Sequence, residues 1–501
     1  MPPEEQLEDQ SIIPVPYPPG ISRDGTPLNG PGCADGLHFR HYNNRWEKMG
    51  GTQAIAGAAA PTGLTGVIRG LRISCIGTSD YVHSFSQQRV ETFTISSAGV
   101  SGAVSNRTPV GFNVDAENAW THDLLYDSVT GSLSLIAHCT ATLGHISAQD
   151  SQPIYYGDAT ATTALTSTGQ SVDGGMMVLQ PYVVGYGSAG YVSWSPANDP
   201  TGVYSTARVA GSKILRGLPF RGSGEQVSGL LWSIDSLILM GWVGGATVFR
   251  FKTLSDQISV LSPYAITELN GRYYWAGWDR FQMYDGVVRD IPNPFNANYF
   301  YDNINMAQRM KAWAMTMPRW GEIWFFFPKG TATECTDAVI YNTLSGEWYD
   351  TTLARSAGYP QRDFLYPIMS ETTGTPALVH LHEIGTDAVN GATVTAINSY
   401  IESAVMTLQL GGDKPGRDNW LYIEKFEPDR VQTGNVTLSV TGRVYPQSTD
   451  VTTTDTIAAT DVVTDVRQQR RQMRLRLTSS VTGGNLVVNK PLAHVRPGDD
   501  R

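Results

Sequence analysis

Apolar side chains recur at every second position in short runs separated by glycine and Asx turns. In GLRISCIGTSDYVHSF (70–85) and RVETFTISS (89–97) that period of two predicts half-buried strands. The chain is organised around residues 269–292, LNGRYYWAGWDRFQMYDGVVRDIP, where aromatic-rich runs flank Asn270-Gly271 and Asp285-Gly286. Such pairs favour type I′ turns, whose twist matches the flanking strands, so consecutive antiparallel hairpins are expected. The pattern returns as YNTLSGEWYD at 341–350 and more weakly as YDSVTGSL at 126–133 and YNNRW at 42–46. An aromatic, a polar turn and an apolar strand recurring at irregular intervals predict stacked four-stranded units, the blades of a β-propeller.

Taken in order, residues 1–36 carry Pro2, Pro3, Pro14, Pro16, Pro18, Pro19, Pro27 and Pro31, and read as an extended arm excluded from any sheet interior. From 37 to 375 the hairpin groups add up to about six blades, within a chain whose 501 residues exceed a single core. A small-residue stretch from Ala54 to Gly70 reads as a loop or short helix, and FYDNINMAQRMKAWA (300–314) is the best helix candidate. RWGEIWFFFPKG (319–330) reads as a strand too apolar to be exposed on either face. Beyond 376 the texture turns to Thr and Val. Val436, Leu438 and Val440 alternate with Thr437, Ser439 and Thr441, while Met473, Leu475 and Leu477 alternate with Arg474 and Arg476. That predicts a small sandwich-like β domain over 376–501, with the alternative that its last strands return to the propeller. The expected fold is all-β.

Composition agrees: there are 51 glycines and only 36 Lys plus Arg. A formal charge of −10 argues against a reader that neutralises phosphates and suits a wall past which DNA slides, although the plain alternative is solubility. Cys33, Cys75, Cys139 and Cys335 are too dispersed for zinc or a disulfide framework and read as small buried side chains. The acidic start MPPEEQLEDQ has no apolar signal region, and no run reaches the roughly 18 apolar residues of a membrane span.

Motifs for chemistry are weak. Gly222, Ser223 and Gly224 lack the lysine of a phosphate loop, and the segment around Ser188 does not match a nucleophile elbow, leaving Ser188 as a turn residue. Asp279, Asp285 and Asp290 are the nearest approach to paired glycosidase carboxylates, but hairpin turns account for all three. His38, His41, His122, His138 and His145 show no metal-ligand spacing, so neither a metal nor a cofactor is expected. One stretch stands out: Arg467, Arg470, Arg471, Arg474 and Arg476 crowd together, with 474 and 476 on one strand face. They are candidates for an acidic face of a neighbouring subunit, then for phosphate, against a plain solvated strand.

GISRDGT (20–26), RWEKMGG (45–51), YVSWSPANDPT (191–201), GWDRFQMYDGVVRDIP (277–292), RWGEIWFFFP (319–328), ATECTDAVIYNTLSGEWYD (332–350) and PLAHVRPGD (491–499) together resemble the tail nozzle, or tail hub, proteins of short-tailed bacteriophages, a family that includes the packaged-DNA-stabilising tail proteins. The likeness spans nearly the whole chain and rests on structural rather than catalytic motifs. It implies a non-enzymatic virion component, assembled in the host cytoplasm. Its place would be a hexameric ring below the portal and adaptor rings, in contact with tail fibres or spikes. Packaged DNA would pass through the lumen without sequence-specific binding. The resemblance lacks any long insertion assignable as a fibre dock. A propeller glycosidase or carbohydrate-binding tail protein acting on a host glycan is the alternative.

Overall fold

The structure is a computed structural model that describes residues 11–26, 30–55, 64–128, 130–140, 151–220, 227–245, 247–374, 376–409, 418–445 and 447–498. Regular structure is almost entirely strand; among the described residues Ala297–Asn303 is the one α-helix. Seven sheets follow one another from 68 to 396. In the first six, four strands lie side by side in chain order, each antiparallel to the last, as short hairpin connections dictate. Their first strands are Ile68–Ile76, Ala119–Tyr126, Gly175–Leu179, Ile214–Phe220, Ile266–Leu269 and Trp313–Met317. The seventh sheet begins with Ala357–Tyr359, which packs back on Ile68–Ile76 and closes a propeller-like ring.

The expectation of about six sheets falls short by one, because the seventh is not local. Thr52–Ala54 inserts between Val379–His382, to which it is antiparallel, and Asp387–Asn390, to which it is parallel. Asp387–Asn390 and Thr393–Ala396 lie beyond 376 in the Thr-rich texture, yet they extend this sheet, so the ring does not stop at 375.

Of the remaining strands, Leu408–Gln409 and Asp418–Asn419 pair only with each other, and the others form three further sheets that draw on both ends of the chain. The Pro-rich segment is extended but it is no free arm. Ser11–Pro14 pairs with Leu492–Pro497 as an edge strand, a place where a proline is tolerated, and Val15, Tyr17 and Ile21 are buried. The hairpin of Phe39–Tyr42 and Arg45–Lys48 pairs with Asn485–Val488 rather than entering the ring. Val436–Arg443 shows the predicted alternation, with its apolar residues buried and the Thr and Ser between them half-buried. Trp46, Ile423, Leu438 and Leu475 share one core with Trp324 and Tyr349 of the sixth sheet, so this unit is fused to the ring by apolar burial.

At Asn270 and Gly271, φ values of 54° and 77° give the expected two-residue turn between Ile266–Leu269 and Arg272–Ala276. The turn at 285–287 holds three residues instead, with Asp285 N donating to Val287 O at 3.4 Å. Glu322–Phe327 is buried at every position, as its sequence required. The helix expected over 300–314 is corrected to three pieces: Ala297–Asn303, a 3₁₀ turn Met306–Lys311 and the strand Trp313–Met317. Asn305 breaks it, accepting from Ala307 N through its side chain at 3.2 Å while its Nδ2 donates to Ala332 O at 3.0 Å. Asn305→Ala is expected to cost about 1 kcal/mol in chemical denaturation, the usual worth of such a cap; no measurable change would show the cap to be idle.

Candidate functional site

The first strands of six sheets, together with the strand-adjacent loop at 362, line an axial cavity of about 290 Å³. Its chemistry comes from positions where these strands interrupt their apolar runs with charge: Arg69 and Arg72, then His122 and Asp123, then Arg216, then Glu268. Arg362, nearly half exposed, sits at the mouth. The lining holds four arginines against two carboxylates, the opposite bias to the chain as a whole.

Each arginine is held differently. Arg69 donates through both Nη atoms to Glu334 at 2.6 Å, and Glu334 also accepts from Lys311 Nζ at 3.1 Å. Arg72 Nη2 lies 3.1 Å from Asp123 Oδ1, and its guanidinium lies over the Tyr359 ring at 5.7 Å. Arg216 lies over the Tyr264 ring at 5.9 Å, and the Tyr264 hydroxyl is 3.0 Å from Thr140 Oγ1. His122 stacks on Phe85 at 4.6 Å; burial first, then Arg72, Arg216 and His83, push its pKa well below the ordinary imidazole value and keep it neutral. Glu268 accepts from Gly271 N at 2.7 Å.

The five arginines singled out in the sequence do not form one ladder. Arg467 and Arg470 lie on Thr464–Arg470, whereas Arg474 and Arg476 lie on Gln472–Ser479 of a different sheet. Arg467 is exposed beside Asp465, and Arg471 lies over the Tyr445 ring at 5.8 Å. Arg474 and Arg476 do share a face, and carboxylates do meet them, but from the same chain. Arg474 Nε is 3.0 Å from Glu402 Oε1; Arg476 Nε donates to Glu402 Oε2 at 2.7 Å and its Nη2 to Asp35 Oδ2 at 2.8 Å. Arg23 continues the cluster, with Nη1 donating to Asp35 Oδ1 at 2.6 Å and Nε to Asp350 Oδ1 at 3.0 Å. These ions tie the N-terminal segment to the C-terminal strands and the sixth sheet.

Asp279 and Asp285 sit on strand turns away from the cavity, Asp279 paired with Arg280 at 2.8 Å and Asp285 with Arg289 at 3.7 Å. Ser188 is a turn residue; its N donates to Asp173 Oδ1 at 2.8 Å and its hydroxyl to the other carboxylate oxygen. Cys33, Cys139 and Cys335 are buried, but Cys75 is exposed. Gly222, Ser223, Gly224 and His145 lie outside the described residues. Among the described residues no group of His, Cys, Asp or Glu is placed to hold a metal, and no helix is long and apolar enough to cross a membrane.

No family model and no curated protein matches the chain. Among solved structures, a chain of the mitotic checkpoint complex is similar over 67% of this chain and 95% of its own length, at 10% identity and a TM-score of 0.38. A likeness of that size carries no inference about role.

Proposed function

We propose that this chain is a structural subunit of a short-tailed phage tail. As a nozzle it continues the DNA channel below the portal and adaptor, retains packaged DNA and opens for ejection. The observation that carries the reading is the way both chain regions are locked into the frame. Ser11–Pro14 and Asp35–Leu37 pair with C-terminal strands, Thr52–Ala54 closes the ring, and the ion cluster around Arg23, Asp35, Glu402 and Arg476 holds the crossing. A frame stitched at several levels resists being pulled apart, as a load-bearing conduit must. The resemblance through RWEKMGG, RWGEIWFFFP and PLAHVRPGD supplies the family, and the net charge of −10 suits a lumen that does not retain DNA by its phosphates. Partners on this reading are five further copies, the portal and adaptor ring, tail fibres or spikes, and the DNA in transit.

Purified protein mixed with its adaptor ring is expected to give six-fold rings with an axial channel by electron microscopy and a matching mass by light scattering. The interfaces should exceed about 2,000 Å², as in permanent assemblies. A monodisperse monomer under all these conditions would overturn the proposal. The glycan-hydrolase reading ranks second. Asp123 and Glu268 do line the axial cavity, but Asp123 is tied to Arg72 and Glu268 to a backbone N–H.

A further inference from the structure

Twenty buried polar side-chain atoms among the described residues have no hydrogen-bond partner, and four of them belong to side chains that line the axial cavity. They are the Nε atoms of Arg69, Arg72 and Arg216 and the Nδ1 of His122. A guanidinium Nε–H is a donor only, so each of these three arginines, all lining the cavity, carries a donor that the protein leaves unmet. The protein supplies carboxylates elsewhere on two of these side chains. Glu334 takes both Nη atoms of Arg69, whose side chain is only 4% exposed, and Asp123 takes an Nη of Arg72. Arg216 has an aromatic ring beneath it and, among the described residues, no carboxylate within ion-pair distance. The lining therefore keeps a positive surplus inside an acidic chain.

We propose that the axial cavity binds a small tetrahedral oxyanion of the phosphate class, free or as a phosphomonoester. Arginine suits this task because its planar donors match oxyanion geometry and its charge is fixed at every relevant pH. Phosphate oxygens diverge tetrahedrally, which suits arginines carried on different sheets, whereas a carboxylate presents its acceptors in one plane. The volume of about 290 Å³ compares with roughly 30 Å³ for a water molecule, which leaves room for a substituent of sugar size beside the anion. The anion would also join the first, second and fourth sheets at the hub, adding a cross-link that the protein's own carboxylates do not provide. This site is independent of any role in a tail.

The test is titration calorimetry of the full-length protein with inorganic phosphate, ribose 5-phosphate and succinate, with ring resonances of His122 followed by NMR. Saturable phosphate binding that moves the His122 signals is expected, and Arg216→Gln should weaken it about tenfold to a hundredfold, the worth of a charge-assisted hydrogen bond. Arg467→Gln, on an exposed strand elsewhere, should leave it unchanged. Arg216→Lys keeps the charge without the fork and should bind more weakly than the parent, which serves should the glutamine variant fail to fold. Tighter binding of ribose 5-phosphate assigns the phosphomonoester, and equal binding assigns the free anion. No heat with either phosphate, binding that leaves His122 unmoved, or succinate binding as tightly as phosphate overturns the proposal.

Discussion

Arg40→Met is expected to lower stability by about 3–5 kcal/mol, or to prevent folding, because it leaves two carboxylates inside the protein without their cation. Arg40 is 1% exposed and comes from the hairpin of the C-terminal unit; Glu322 comes from the sixth sheet and Glu383 from the link that follows Val379–His382. Arg40 Nε donates to Glu322 Oε1 at 2.9 Å and Nη2 to Glu383 Oε1 at 2.6 Å, while its guanidinium lies 4.3 Å from the Trp320 ring centroid. Glu322 also accepts from Trp324 Nε1 and the Tyr349 hydroxyl. One cation thus joins three parts of the molecule, and desolvation has already been incurred by all three ions. Burial by itself would lower the pKa of Arg40, but Glu322 and Glu383 outweigh it and raise it. The carboxylates respond unequally. Burial pushes Glu322 up against the pull of Arg40, whereas at Glu383 Arg40 and the Gly50 N–H overcome burial and hold it below the ordinary glutamate value. A carboxylate lowered in the folded state contributes stability that is present above its unfolded pKa and lost as pH falls through the lowered value. The Glu383 contribution to wild-type stability should therefore decline through the acid range below the usual glutamate pKa, with Glu322 acting in the opposite sense, and Arg40→Met should lose the Glu383 part. Urea denaturation at several pH values measures both. Adding Glu322→Leu to Arg40→Met should recover part of the loss, since an apolar replacement of the pair removes the stranded charge. A cost below about 1 kcal/mol for Arg40→Met would show the three ions to be solvated and the network to be unimportant.

Local physics was the legible part of this fold. Asn270-Gly271 fixes its turn because both residues tolerate positive φ, and Glu322–Phe327 declares itself buried because none of its apolar side chains has a polar face to offer. The strand rhythm of the first six sheets is equally local, since each is a run of hairpins. What the pattern did not carry was pairing at a distance. Thr52–Ala54 has no neighbour in sequence that predicts its place between strands more than 300 residues away, and the Pro-rich start reads only as an extended arm because its partners lie near the far end. The arginines illustrate both sides. Arg474 and Arg476 were visible as a face, and their need for carboxylates followed from charge, but Glu402 and Asp35 are neighbours only after folding. Arg69, Arg72 and Arg216 gave no cluster signal at all. The one available clue was a charged residue within the first strand of a hairpin group, a position that a propeller-like ring turns toward its axis.

That non-local closure makes Gly51→Ala the second large effect. At Gly51 the incoming chain crosses the link between two strands of the seventh sheet. Gly51 N donates to Gly385 O at 2.9 Å and Ile384 N donates to Gly51 O at 3.1 Å. A Cβ at this position would lie 2.3 Å from Asp387 O, 2.6 Å from Asp387 N and 2.7 Å from Ile384 O, all of them backbone atoms. No rotamer change relieves a clash with main chain, so either the crossing chain or the link must move, and both hydrogen bonds stretch when it does. The expected cost is about 3 kcal/mol, the upper part of the range for overpacking. The loss should also be local before it is global. Thr52–Ala54 follows directly, and its ladders to Val379–His382 and Asp387–Asn390 hold the ring shut, so hydrogen exchange should quicken at those strands while Glu322–Phe327 stays protected. Gly241→Ala is the matched control: it lies on Leu237–Trp242 of the fourth sheet with nothing within 4 Å of the added carbon, and should change stability by no more than about 0.5 kcal/mol. If the two substitutions behave alike, the close approach at Gly51 does not hold the ring, and closure rests on the contact of Ala357–Tyr359 with Ile68–Ile76. If Gly51→Ala loosens the seventh sheet while the strands of the C-terminal unit keep their protection, the ring and that unit are separate cooperative units joined through the sixth sheet, and a seam between the first and seventh sheets is the place where the frame yields first.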